Sequence, residues 1–286
     1  METNRTAATD NPSRAAELPS CRVLAVVNQK GGVGKTTTTI NLATAMAAVG
    51  KRVLIVDADP QGNASTGFGI ARSERGTGCY ELMFDGLAVQ DVVVPTIIPG
   101  LSIITSSADL AGAEIQLVNA ERREYRMRDA LERSAKDYDF ILIDCPPSLN
   151  LITLNALVAA EGLLIPLQVE FYALEGLSSL LQTVEAIRAR FNPMLEIQGV
   201  VLTMYDKRNS LSDAVANDVR AYFAEQVYET IIPRNVRVSE APSHGKPVLL
   251  YDLKCPGSRA YMQLASELLK REAKRLTNDP TDQKVA

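Results

Sequence analysis

Tryptophan is absent from this sequence of 286 residues, and all aromatics together make up only 5% of it. The core must therefore be filled by Val, Ile, Leu and Ala, which an apolar content of 46% supplies in quantity. No stretch approaches the roughly 20 apolar residues of a membrane span, which predicts a soluble protein. The four cysteines, Cys21, Cys79, Cys145 and Cys255, lie far apart and form no C-x-x-C pair. Reduced, partly buried thiols account for them, and Cys145 alone offers itself as a ligand for a metal cluster shared across a dimer. A basic excess is missing as well: 30 Lys and Arg stand against 34 Asp and Glu, for a net charge of −4 and a pI near 5.3. That excludes a protein coating nucleic acid with its whole surface, while a local basic patch stays compatible with it. Residues 1–20 lack any apolar run, so they are neither a signal peptide nor a packed element, and they read as a disordered N-terminal tail.

What is present is a regular alternation of apolar runs and helical patterns. Val23 to Val27 is a strand candidate, followed by a glycine loop and a helix from about Lys35 to Val49 that Gly50 ends. Arg52 to Val56, Leu101 to Thr105, Phe140 to Ile143, Leu163 to Leu167 and Ile197 to Leu202 are the further strand candidates. Apolar runs without polar alternation belong to strands covered on both faces. Their alternation with helices predicts an α/β fold, a single domain over residues 21–276 with a doubly wound, mostly parallel sheet. Residues 62–100 are the least regular part. The last helix, about Ser258 to Leu276, carries leucines on one side and Lys270, Arg271, Lys274 and Arg275 on the rest. Without interfacial aromatics it reads as a packed helix with a solvated basic end rather than a membrane-surface helix. Residues 277–286 read as a flexible C-terminal tail.

Asn28-Gln29-Lys30-Gly31-Gly32-Val33-Gly34-Lys35-Thr36-Thr37 stands between the first strand and the first helix, the context a phosphate-binding loop requires. Glycines let successive backbone N–H groups turn inward toward phosphate oxygens, and the helix N-terminus adds partial positive charge. Lys35 then reaches the β- and γ-phosphates of ATP, and the Thr36 hydroxyl ligates Mg²⁺. Gln29 replaces the first glycine of the common G-x-x-x-x-G-K-[ST] pattern, and a dinucleotide G-x-G-x-x-G cannot be laid over Gly31, Gly32 and Gly34. Two apolar strands end in carboxylates, at Asp57-Ala58-Asp59 and at Asp144. In open parallel sheets such strand ends adjoin the first loop, so three aspartates converge on the Mg²⁺ and γ-phosphate region. Any one of them could cap a turn; the set points to metal and phosphate.

Lys30-Gly31-Gly32-Val33-Gly34-Lys35-Thr36-Thr37 resembles the deviant Walker A motif of the ParA/MinD group of P-loop ATPases. The resemblance to ParA/Soj partition ATPases covers roughly residues 21–272. It includes Asp59-Pro60-Gln61-Gly62-Asn63, Pro166 to Glu170 before Ala173 to Leu177, Leu202 to Asp206, Ile232 to Arg237, and Ser239 to Pro247. It implies that Lys30 crosses a dimer interface to the partner's nucleotide, the alternative being a solvated loop charge. Asp59 is implied at the attacking water, Asp57 and Asp144 at the metal, and Pro233 and Asn235 beside the adenine. His244, inside the last segment, reads as a loop residue rather than a general base.

The resemblance also implies a homodimer on ATP binding, non-specific double-stranded DNA as a ligand, and a ParB-type centromere-binding protein that stimulates a weak ATPase. A cytoplasmic, nucleoid-associated place follows, with no membrane partner. Residues 234–259 and the loop after Met204 hold a basic stripe, in which Arg208, Arg237 and Lys246 are the DNA candidates against an ordinary solvated face. The tail before the phosphate loop is too short for a helix-turn-helix domain. Two other classes share the loop: a MinD-like membrane-associated ATPase, and a metallo-ATPase with a cysteine-ligated cluster.

Overall fold

Apolar runs that lack polar alternation pack on both faces, and here they form the interior of one sheet. The computed structural model describes residues 21–278. Its strands are β1 (Arg22–Val26), β2 (Val53–Asp57), β3 (Val93–Pro95), β4 (Leu101–Ile104), β5 (Phe140–Asp144), β6 (Gly162–Gln168) and β7 (Glu196–Thr203). They lie in the order β3-β4-β2-β5-β1-β6-β7. All neighbours are parallel except β3, which pairs antiparallel with β4 at the edge. The longer helices are α1 (Lys35–Ala48), α2 (Leu151–Ala159), α3 (Ala173–Arg190), α4 (Ser210–Phe223) and α5 (Pro256–Asn278).

Alternate residues along a strand face opposite sides. Leu24, Val26, Ile55 and Leu142 pack with Met46 of α1 and with Tyr261 and Leu264 of α5. Val23, Ala25, Leu54 and Ile143 pack on the other face with Ile152 of α2, Leu180 of α3 and Val219 of α4. Helices therefore cover both faces, as in a doubly wound sheet. Asn150 caps α2 by accepting from Thr153 N at 2.9 Å, and Asn209 caps α4 by accepting from Leu211 N at 3.1 Å.

Arg22, at the start of β1, is buried and gathers carboxylates from distant parts of the chain. Its Nη1 donates to Glu161 at 2.8 Å and its Nε to Glu272 of α5 at 3.3 Å, while Nη2 pairs with Glu196 at the start of β7. A buried guanidinium is tolerable only with such partners.

The strand candidates hold to within a residue or two at their ends. The short edge strand β3 is additional, and it falls in the stretch that reads as least regular. Helix α5 starts at Pro256 and continues to Asn278, two residues into the segment expected to be a tail; residues 1–20 and 279–286 lie outside the described residues. Among the described residues no helix is long and apolar enough to cross a membrane. All four cysteines are free and buried, and burial pushes the Cys21 thiol up to about 12 and those of Cys79 and Cys145 higher still.

The apolar side of α5 is a packing surface. Leu264→Ala should cost about 2–5 kcal/mol in urea unfolding, whereas Leu276→Ala, 43% exposed, should change stability by less than about 0.5 kcal/mol. Equal effects at the two positions would contradict this assignment.

Candidate functional site

Strand β1 lies between β5 and β6 while its own continuation leads through α1 to β2, so the strand order reverses above its carboxyl end. Open parallel sheets form their ligand crevice at such a point. The loop over it is pinned on the inner side. Asn28 Nδ2 donates to the Pro166 carbonyl at 2.8 Å, and its Oδ1 accepts from Lys30 N at 3.0 Å. Thr203 Oγ1 donates to the Val33 carbonyl at 2.8 Å. Gln29, where the common loop has glycine, reaches Ser179 of α3 at 3.2 Å. Gly32 and Gly34 take φ of 76° and 91°, the left-handed region that glycine adopts without penalty. A Cβ added at Gly32 would meet nothing within 4 Å, so this position borders open space.

Lys35 opens α1 and is buried, with Nζ donating to the Lys30 carbonyl at 3.0 Å. Burial pulls its ammonium below the ordinary lysine value, while Asp144 and Asp59 act in the opposite sense. Thr36 and Thr37 follow in the first helical turn, half-buried. A concave run of backbone amides, a helix N-terminus and a lysine held over them make an anion site for phosphates.

The carboxylates arrive as the sequence suggests. Asp57 and Asp144 are direct partners in the β2–β5 register, each at the end of its strand and each fully buried. Asp57 Oδ2 accepts from the backbone N and the Oγ of Ser65 at 2.8 and 2.7 Å, whereas its Oδ1 has no partner. Asp144 Oδ1 accepts from Thr39 Oγ1 at 3.2 Å, and its Oδ2 is likewise unpartnered. Burial pushes the Asp57 carboxyl up to about 6, with Asp59 adding to the shift and Ser65 and Arg75 opposing it. Asp144 is raised well above the usual carboxylate range by burial and then by Asp57, against hydroxyls of Thr36 and Thr39. Asp59 is buried too, its Oδ1 accepting from Gln61 N at 3.0 Å.

Two orphaned carboxylate oxygens beside a threonine hydroxyl suit a hard divalent cation completed by phosphate and water. Among the described residues no three His, Cys, Asp or Glu side chains gather as an all-protein cage. The donor set therefore fits Mg²⁺ held jointly with a phosphate ligand.

Lys30, by contrast, is exposed. Its Nζ pairs with Glu170, just after β6 and beside the exposed aromatics Phe171 and Tyr172. On the far side of α1, Gly34, Thr37, Met204, Pro233, Asn235 and Tyr261 line a cleft of about 100 Å³. Asn235 contributes a buried, unpartnered Oδ1 there. Pro233 and Asn235 thus share a cleft with Gly34 and Thr37 of the phosphate loop.

The basic candidates are exposed but in part already paired. Arg208 pairs with Asp206 at 2.8 Å, and Arg237 with Glu240 at 3.0 Å and Asp252 at 3.6 Å. Arg234 N donates to the Tyr205 carbonyl at 2.9 Å, which brings the two basic loops side by side. Lys246 is exposed on the following turn. His244 stacks on Tyr251 with ring centroids 4.8 Å apart, a loop contact apart from the three aspartates. Several partners escaped the sequence reading, among them Thr39, Ser65, Arg75, Glu170 and Ser179. Of these, only Glu170 lay in a segment that the resemblance singled out.

Sheet order, loop and carboxylates together define a P-loop nucleotide-binding fold. The family profile described as an AAA domain matches residues 21–197. Over 256 residues the chain is 61% identical to the chromosome partitioning protein ParA of Caulobacter vibrioides, covering 89% of this chain and 96% of that protein. It is 50% identical over 247 residues to the sporulation initiation inhibitor protein Soj of Bacillus subtilis, covering 86% and 98%. The chain belongs to the ParA/Soj family of partition ATPases. Among solved structures, a cobyrinic acid a,c-diamide synthase from Mycobacterium smegmatis with bound ADP and magnesium matches with a TM-score of 0.78 at 36% identity. It covers 88% of this chain and 96% of that one.

Carboxyls that titrate above their ordinary range stabilise the fold below the unfolded-state pKa and lose that contribution as pH rises through the folded value. For Asp57 the window runs from about 4 up to about 6. The nucleotide-free protein should gain on the order of 1–3 kcal/mol as the pH falls from 7 to 5. Asp144→Asn should raise its melting temperature at pH 7.5; a lowered one would mean that Asp144 is not an uncompensated buried charge.

Proposed function

We propose that the chain is a Mg-ATP-dependent dimerising switch for chromosome or plasmid partition. One observation carries the reading: two buried carboxylates with free oxygens adjoin a phosphate loop whose extra lysine, Lys30, is exposed. In this reading the loop amides and Lys30 through Thr37 hold the triphosphate, with Lys35 at the β- and γ-phosphates. Thr36, Asp57 and Asp144 would hold Mg²⁺, Asp144 through water; the ion supplies charge neutralisation along the phosphates when bound. The adenine lies in the cleft of Pro233 and Asn235.

Asp59 orients a water whose oxygen bonds to the γ-phosphorus as the bond to the β,γ-bridging oxygen breaks, leaving ADP and phosphate. Lys30 leaves Glu170 and reaches the nucleotide of a second copy, so that closing the dimer and completing the electrostatics of the site coincide. The closed dimer presents Arg208, Arg237 and Lys246 to DNA phosphates without reading bases. A ParB-type partner stimulates hydrolysis and resets the switch, which places the protein in the cytoplasm on the nucleoid. Slow intrinsic turnover suits a switch whose lifetime is its signal. The membrane-bound alternative finds no support in α5, whose leucines at 264 and 268 are buried.

Asp59→Ala with ATP should remain on non-specific DNA. Three phosphate contacts per protomer would give a slope of log affinity against log salt on the order of −3 per protomer. No salt-sensitive retention would overturn the DNA reading, as would clear ATP-dependent co-sedimentation with liposomes. Lys30→Ala should bind ATP yet stay monomeric in size-exclusion chromatography. Turnover should rise more with DNA and the ParB-type partner together than the two separate increments combined.

A further inference from the structure

Outside every motif discussed so far, residues 71–78 form a connector that runs back across the carboxyl edge of the sheet. The side chain of Arg75, half-buried within it, makes all of its hydrogen bonds to backbone carbonyls and one hydroxyl. Nη2 donates to the Gly62 carbonyl at 3.0 Å, to Thr66 Oγ1 at 2.7 Å and to the Ile70 carbonyl at 3.2 Å. Nε donates to Ile70 O at 3.3 Å, and Nη1 to the Ser106 carbonyl at 3.3 Å, just beyond β4. One guanidinium thereby bonds both ends of the segment from 62 to 70 and ties that segment to the neighbouring strand end. Its rigid fork of donors suits this task in a way a lysine cannot match.

Through short hydrogen-bonded links these acceptors connect to the two carboxylates. Gly62 N donates to the Asp59 carbonyl at 2.8 Å, closing the turn in which Gln61 N holds the Asp59 carboxylate. Ser65, three residues on, holds Asp57 through N and Oγ. Ser106 N donates to the same Ser65 Oγ at 3.3 Å, so the residue whose carbonyl Arg75 grips also supports the Asp57 contact. Gly62 gives the guanidinium its space: a Cβ there would come within 2.0 Å of Arg75 Nη1, and its φ of 64° is left-handed. The positive charge also favours the ionised form of Asp57.

We infer that Arg75 is a positioning residue for ATP hydrolysis, which fixes the 59–66 segment so that Asp59 and Asp57 stand correctly at the γ-phosphate and metal. The inference rests on the roles proposed above for those two carboxylates. None of the Arg75 hydrogen bonds goes to the phosphate loop or to the cleft of Pro233 and Asn235, so loss of Arg75 should slow the chemical step far more than it weakens nucleotide binding.

The test uses the full-length protein with Mg-ATP and saturating non-specific DNA, comparing wild type with Arg75→Lys and Arg75→Ala. Arg75→Ala should lower kcat roughly 10- to 100-fold, with the Kd for a fluorescent ATP analogue within about threefold of wild type. Arg75→Lys keeps the charge without the fork and should recover only a small part of kcat. It also carries the test should Arg75→Ala fail to fold by circular dichroism. Amide hydrogen exchange of the nucleotide-free proteins should show faster exchange over residues 59–66 in both variants. A kcat within about twofold of wild type, a parallel loss of ATP affinity, full recovery by lysine, or unchanged exchange over 59–66 would each overturn the inference. Absence of turnover in the wild type would instead sink the hydrolase reading, and the exchange measurement would still decide whether Arg75 holds the segment.

Discussion

Strands β2 and β5 lie side by side in register, and the register places Asp57 opposite Asp144, both fully buried. Two carboxylates so close in a buried place repel each other, and burial penalises the charge of each. Much of the surrounding structure answers this constraint: Ser65 donates twice to Asp57, Thr39 donates to Asp144, and Lys35 brings a cation that is itself partly desolvated. One oxygen on each carboxylate is nonetheless left without a donor. Such a site is unfavourable in the free protein and becomes favourable once a divalent cation and phosphates occupy it, which makes ligand binding and local stability one equilibrium.

The two lysines of the loop divide along the same boundary. Lys35 heads α1, buried and turned inward, while Lys30 precedes the glycine turn and is solvent-facing in an ion pair with Glu170. An exposed pair of this kind contributes little to stability. A second copy therefore has little to overcome in drawing Lys30 away. The nearby Phe171 and Tyr172, 73% and 65% exposed, offer apolar area for the surface that the proposed dimer would cover.

The phosphate loop, the strand-end aspartates and the parallel strands were legible because each is written in a short local run whose type follows from its neighbours. Asn235 and Pro233 were legible through family resemblance alone, since the turn from 233 to 235 has no periodicity of its own. Edge strand β3 escaped because its valine signal is only a few residues long and runs straight into Pro95, and the antiparallel partner that forms it is known only from the fold. The partners of the site residues escaped for a related reason. Gln29 meets Ser179 and Lys30 meets Glu170 across 150 and 140 positions, distances over which a sequence carries no geometric signal. Arg75 lies closer to its acceptors, yet it bonds to carbonyl oxygens, which every residue possesses and none advertises.

Arg22 has a consequence for the order in which the molecule is made. It opens the very strand that leads into the phosphate loop, but one of its carboxylates, Glu272, is 250 residues away near the end of α5. β1 is synthesised before any of the carboxylates that allow its cation to be buried, and the last of them follows 250 residues later. The carboxylate cluster around Arg22 is therefore completed only once α5 has been made.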